Sequence, residues 1–127
     1  MSVVYLDASA AVKLVLPERE SAALSAALKH DDALVSSEII EVELGRACLR
    51  QGLPPSAITP VLDVVALLPV AATRERAARV SPPVLRALDA IHLAAALAVE
   101  ADVLIAYDQR LLDAARAAGL LVASPGA

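Results

Sequence analysis

The sequence predicts an α/β fold, a three-layer α/β/α sandwich around a central, mostly parallel sheet. Three observations predict it. Short apolar runs of strand length alternate along the chain with segments of helical period. Runs such as Val3-Val4-Tyr5-Leu6 and Val103-Leu104-Ile105 are continuously apolar, as strands covered on both faces are. Finally, 127 residues without a linker, a repeat or a low-complexity segment are the size of one domain, here residues 1–127.

In order, Val3 to Leu6 is the first strand, and Ala8 to Leu16 a short helix stopped by Pro17. The segment "ERESAALSAALKH" forms a second helix, with Leu24 and Leu28 one turn apart. Ala33-Leu34-Val35 is a short strand. Ser36 or Ser37 then caps a long helix through "EIIEVELGRACLRQ", ended by Gly52 where left-handed backbone favours glycine. Thr59-Pro60 supplies a cap and a first-turn proline for a helix to about Leu67. Leu67 to Val70 is a candidate strand, and "TRERAARV" a short helix capped by Thr73. A helix starting near Leu85 places Leu85, Leu88, Ile91, Ala95 and Val99 on or near one stripe. Asp102 to Ala106 is a buried strand, "DQRLLDAARAAG" a helix ending at Gly119, and Leu120 to Ala123 the last strand.

Hydrophobic residues make up 58% of the chain, yet no apolar run approaches the roughly 18 residues needed to span a bilayer. Asp63, Asp89 and Asp102 interrupt the longest ones, and the N-terminus lacks a basic leader pattern, so a cytosolic protein is expected. Cys48, the single cysteine, excludes an internal disulfide and fits a small core position. The net charge is −4, and there are two Tyr with no Phe or Trp. Neither an overall basic charge nor an aromatic stacking platform is on offer, so nucleic acid would have to be held locally, by a few arginines and metal ions.

The acids carry the chemistry. In open α/β sheets ligands bind outside the carboxyl ends of the strands. Asp7 stands at the carboxyl end of the first strand and Asp108 just past that of another. Together they would repel unless a cation lay between them, and hard cations such as Mg²⁺ prefer oxygen ligands. Asp89 falls in the most apolar helix, where a dipole-favoured first-turn acid is the plain alternative. Glu38 is a first-turn acid. Glu41 and Glu43 point to different sides of their helix, and Glu43, in line with Ile39, Ile40 and Ala47, is favoured to face inward. His92 follows Asp89 by three residues, but a zinc site would want further His or Cys, so it reads as a structural hydrogen-bonding residue. His30, in "KHDD", is read as part of a solvated turn.

Asp7 in "YLDASAAVKL", Glu43 in "EIIEVELGRA", Asp89 in "ALDAIHLAAAL" and Asp108 in "AYDQRLLDAARAAGL" together resemble the acidic motifs of PIN-domain nucleases, and more closely the toxin ribonucleases of VapBC-type toxin-antitoxin modules. The resemblance runs through essentially the whole chain and implies the same α/β/α fold. It implies that Asp7, Glu43, Asp89 and Asp108 hold Mg²⁺ or Mn²⁺ and that a metal-activated water hydrolyses RNA, leaving a 5′-phosphate and a 3′-hydroxyl. It marks Ser9 as a small polar residue that helps order the pocket, with a plain role in the following helix as the alternative. Ala106 and Ala95 stand where relatives often carry a hydroxyl residue. Lys13, Arg46, Arg50, Arg86 and Arg110 neighbour the motifs as candidate phosphate contacts, Arg110 foremost. The resemblance also implies a homodimer and a cognate antitoxin that blocks the pocket. Two other readings remain at this point: a non-catalytic PIN-like scaffold, and an acidic-pocket phosphotransfer or phosphatase domain. The absence of a lysine beyond Lys29 disfavours the latter.

Overall fold

The computed structural model describes residues 1–127. Five parallel strands form one sheet in the order β3-β2-β1-β4-β5. They are β1 (Val3–Leu6), β2 (Ala33–Ser37), β3 (Ala66–Leu68), β4 (Val103–Ile105) and β5 (Val122–Ala123). Alternation along each strand divides the core in two. Val4, Leu6 and Ile105 pack on one face with Leu24, Ile40, Leu44 and Cys48, while Tyr5 and Leu104 pack on the other with Leu93, Ala96, Leu111 and Ala115. The first face is covered by α1 (Ala8–Ala11), α2 (Ser21–Ala27), α3 (Ile39–Arg50) and α4 (Thr59–Leu62). The second is covered by α6 (Ala87–Ala98) and α7 (Gln109–Ala117), with α5 (Arg74–Ala77) against α6. This is the expected three-layer sandwich. No helix is long and apolar enough to cross a membrane.

The strand order fixes where a site can lie. From β1 the chain moves outward through β2 to β3, then returns to the other side of β1 to lay down β4 and β5. The sheet therefore switches direction between β1 and β4, and the crevice at their carboxyl ends is where such sheets bind ligands.

Several elements are shorter than the sequence suggests. The first helix ends at Ala11 and tightens into a 3₁₀ turn over Val12–Leu14. Pro17 demands extended backbone ahead of it, and the Ser21 hydroxyl donates to the Lys13 carbonyl at 2.7 Å, closing the bend. The helix expected to run to Leu67 stops at Leu62, because Val64 and Val65 are β-branched and β2 offers an open edge at Val35–Ser37. Ser36 is not a helix cap: it lies in β2, and its hydroxyl donates to the Leu6 carbonyl at 2.6 Å. Ser37, the residue before the N-cap Glu38, accepts from the Ile39 N–H at 3.3 Å. Thr73 makes no capping bond either; its hydroxyl turns to the Val70 carbonyl at 3.4 Å. The last long helix begins at Ala87 because Arg86 is extended, which places Asp89 in the first turn. Gly52 and Gly119 end their helices at φ +70° and +93°, as their positions suggest.

Candidate active site

The first acid is positioned by the sheet. The Asp7 N–H still donates to the Ile105 carbonyl at 3.1 Å, so the residue keeps its place beside β4 after β1 has ended. Its carboxylate is buried and caps α1: Oδ2 accepts from the Ser9 N–H at 3.1 Å and the Ser9 hydroxyl at 2.6 Å. The Ser9 oxygen in turn accepts from the Tyr107 N–H at 2.9 Å. Asp108, the next residue, caps α7 by accepting from the Arg110 N–H at 3.0 Å. One hydroxyl thus ties the ends of β1 and β4 together and sets the spacing of the two acids. Ser9→Ala removes both hydroxyl bonds and strands the Tyr107 N–H; a drop of about 1–3 kcal/mol in urea unfolding is expected, with Ser9→Thr recovering most of it.

Asp89 approaches the same rim from α6. Its carboxyl is raised above the usual aspartate range, first by burial, then by the charges of Asp108 and Asp7; His92 and Arg86 act the other way. Three carboxylates from three elements therefore share one electrostatic field. As the side chains stand, no three His, Cys, Asp or Glu residues are arranged to hold a metal ion.

Glu43 joins them through a histidine. α3 and α6 lie on opposite faces of the sheet, and across its end Glu43 Oε1 meets His92 Nε2 at 2.7 Å, while Asp7 Oδ1 lies 3.6 Å from the same nitrogen. Glu41, two residues away, is exposed. On its other side His92 Nδ1 is 2.7 Å from the Tyr5 hydroxyl. Burial above all, with the Asp7 and Glu43 charges adding, keeps the Tyr5 phenol protonated far past the ordinary tyrosine range. With Tyr5 donating to Nδ1, the neutral imidazole carries its proton on Nε2 and donates it to Glu43. Burial works against a charged ring, but the Glu43 hydrogen bond and the charges of Asp7, Glu43 and Asp89 outweigh it, and the net shift of His92 is upward. No buried side-chain polar atom in the chain lacks a partner.

Lys13 requires a correction. The sequence places it at the pocket entrance as a phosphate contact, yet only 8% of it is exposed. Its ammonium pairs with Glu18 at 2.8 Å and Glu20 at 3.4 Å and lies 4.6 Å from the centre of the Tyr107 ring. The bend at Pro17 brings those two acids back over it, so its charge is already satisfied. Arg110 is exposed beside Asp108 and in no ion pair. Sequence reasoning misses Tyr5 and Ser36 as polar supports. The signal for them is a tyrosine inside a buried strand, since its hydroxyl must find a partner there.

Known proteins fit this architecture. The PIN domain model matches residues 4–117. Ribonuclease VapC35 of Mycobacterium tuberculosis is 40% identical over 133 residues, covering 97% of each chain. VapC46 of the same organism is 40% identical, covering 98% of this chain and 99% of its own. Among solved structures, VapC20 of M. tuberculosis, described as a Sarcin-Ricin loop cleaving toxin, superposes with a TM-score of 0.72 at 18% identity over 96% of this chain and 99% of its own. VapBC2 from Rickettsia felis, bound to a DNA fragment from its promoter, gives 0.67 at 13% identity, over 97% and 98%. The chain belongs to the PIN-domain family, among its VapC-type ribonucleases.

Proposed function

We propose that the chain is a Mg²⁺- or Mn²⁺-dependent endoribonuclease and the toxin of a VapBC-type module, with Asp7, Glu43, Asp89 and Asp108 as its catalytic and metal-holding acids. The observation that carries this is the placement of Asp7 and Asp108 at the ends of β1 and β4, tied by Ser9 at the sheet's switch point, where burial first and then the charges of Asp108 and Asp7 raise the Asp89 carboxyl. Acids gathered against their own repulsion cost stability, and a cation would relieve that cost. The donors are all carboxylate oxygens, the set that hard cations favour over zinc or copper.

When bound, the cation would supply Lewis-acid stabilisation of the phosphoryl oxygens and a water of lowered pKa. The remaining work falls to the chain. Ser9 fixes Asp7 by its Oδ2, leaving Oδ1 turned toward His92 and the rim. His92 holds Glu43 inward from the far side. Arg110, at the start of α7, is within the same first turn as the Asp108 cap and offers a cation to a phosphate oxygen. No side-chain nucleophile is needed.

The named relatives support an antitoxin as partner and RNA as substrate. A homodimer accords with the large apolar residues left exposed on α3, Val42 and Leu49. The deciding experiment is cleavage of single-stranded RNA by the purified chain, freed of antitoxin, with Mg²⁺ or Mn²⁺ and with EDTA. Cleavage that requires the metal is expected; none with either metal, or cleavage unaffected by EDTA, defeats the reading.

A further inference from the structure

Beside the acids lies a second feature. The turn Ser81–Leu85, closed by the Leu85 N–H donating to the Pro82 carbonyl at 3.0 Å, leads into α6 and leaves an open groove of about 630 Å³ against α7. Pro82, Val84 and Leu85 make one wall; Arg110, Asp113 and Ala117, on one face of α7, make the other. Both walls lead to the acidic rim, because Asp89 is in the first turn of α6 and Asp108 caps α7.

The segment that leads into this wall is charged unlike the rest of the molecule. The chain is net −4, yet residues 74–86 carry Arg74, Arg76, Arg79 and Arg86 against Glu75 alone. These four and Arg110 are exposed, and none is in an ion pair. Asp113, by contrast, is held by Gln109 at 2.7 Å and by Arg116 at 3.2 Å.

We propose that this groove seats an unpaired base of single-stranded RNA next to the phosphate that is cut, while the arginines of residues 74–86 carry the adjoining backbone. The proposal rests on the ribonuclease reading above. A base needs an apolar slot for its ring faces and both donors and acceptors at its edge; the groove supplies Pro82 and Leu85 for the first, and for the second Asp113 together with those of the five Arg110 guanidinium N–H groups not turned to the phosphate. A phosphate would be repelled by Asp113, and an acidic peptide would meet the same carboxylate; a neutral base does not. The chain's tyrosines cannot substitute, since Tyr5 is fully buried and Tyr107 gives its hydroxyl to the Pro125 carbonyl at 2.8 Å.

The test uses the full chain and a fluorescein-labelled random 12-mer RNA. Anisotropy in EDTA reads binding without turnover, and sequencing of products from a random RNA library in Mn²⁺ reads base preference around the cut. Val84→Asp, at a residue 88% exposed and so without risk to folding, puts a charge in the slot; Ala117→Leu fills it. Both are expected to weaken binding about tenfold and to change base preference at one position beside the cut. Arg79→Glu is expected to lower affinity for all sequences alike and to make the salt dependence of binding shallower, by about 0.7 in log–log slope for each phosphate no longer neutralised. Lys29→Glu, at the opposite end of the sheet, should do neither. Unchanged affinity and unchanged preference in both groove variants would overturn the proposal. So would a loss of self-association or of antitoxin binding in place of RNA binding, which would make the groove a protein interface. If the wild type binds the 12-mer through the groove but never cleaves, the ribonuclease reading fails while the groove assignment stands.

Discussion

Asp89→Asn is expected to melt at a higher temperature than the wild type in metal-free buffer at pH 7.5, and to lose cleavage by about a hundredfold or more. Burial and the neighbouring charges of Asp108 and Asp7 raise the Asp89 carboxyl, so the folded chain holds that proton more tightly than the unfolded one does. The stability associated with the raised pKa is present below the ordinary aspartate range and is lost as pH rises through the raised value. Above it the wild type carries a repelled charge that Asn lacks, and below it the two proteins converge. A first-turn acid gains about 0.3–1 kcal/mol from the helix dipole, and Arg86 lies nearby, so the outcome weighs that gain against two like charges. Calorimetry in EDTA at pH 7.5 and pH 4 decides it. If Asp89→Asn melts lower at pH 7.5, the dipole wins and the three acids are not a strained cluster. Mn²⁺ should reverse the order, because a ligand at a hundred times its Kd adds about 2.7 kcal/mol to the protein that binds it.

That trade separates what the sequence discloses from what it hides. Asp7 and Asp108 are legible because each ends an apolar run where a core residue would otherwise stand, and strand ends are where α/β sheets do chemistry. The strands β1 and β4 are legible for the same reason. β3 and α4 are poorly legible: "VLDVVALL" suits either period, and pairing with β2 decides the matter. Lys13 misleads because five and seven residues of separation say nothing about a bend that folds Glu18 and Glu20 over it. The Tyr5, His92 and Glu43 contacts span 87 and 49 positions, and no local pattern encodes them. Arg74, Arg76 and Arg79 look like the solvated face of a short helix, and only the groove wall that follows them in the chain at Ser81–Leu85 sets them apart.

His92→Leu should be among the most damaging substitutions outside the acids, and His92→Gln should separate its two duties. Leucine leaves the Tyr5 hydroxyl without its acceptor at a fully buried position, about 1–3 kcal/mol in urea unfolding, and frees Glu43 to swing outward. Removing a support residue of this kind weakens metal affinity about 10–100-fold. Glutamine places an amide N–H near the Nε2 position, so it keeps the donor to Glu43 and gives up most of the contact with Tyr5. Calorimetric titration with Mn²⁺ should therefore rank wild type, then His92→Gln, then His92→Leu, with both variants losing stability. In EDTA the stability gap between wild type and His92→Gln should narrow as pH rises. A raised imidazole stabilises the fold below its ordinary range near 6.5, and that contribution fades as pH climbs through the raised value. Should both variants bind Mn²⁺ as the wild type does, His92 only fills the core and Glu43 needs no support from α6. Should the Gln variant bind as weakly as the Leu variant, the Tyr5 contact controls Glu43, and Tyr5→Phe would then reproduce the effect without touching the histidine.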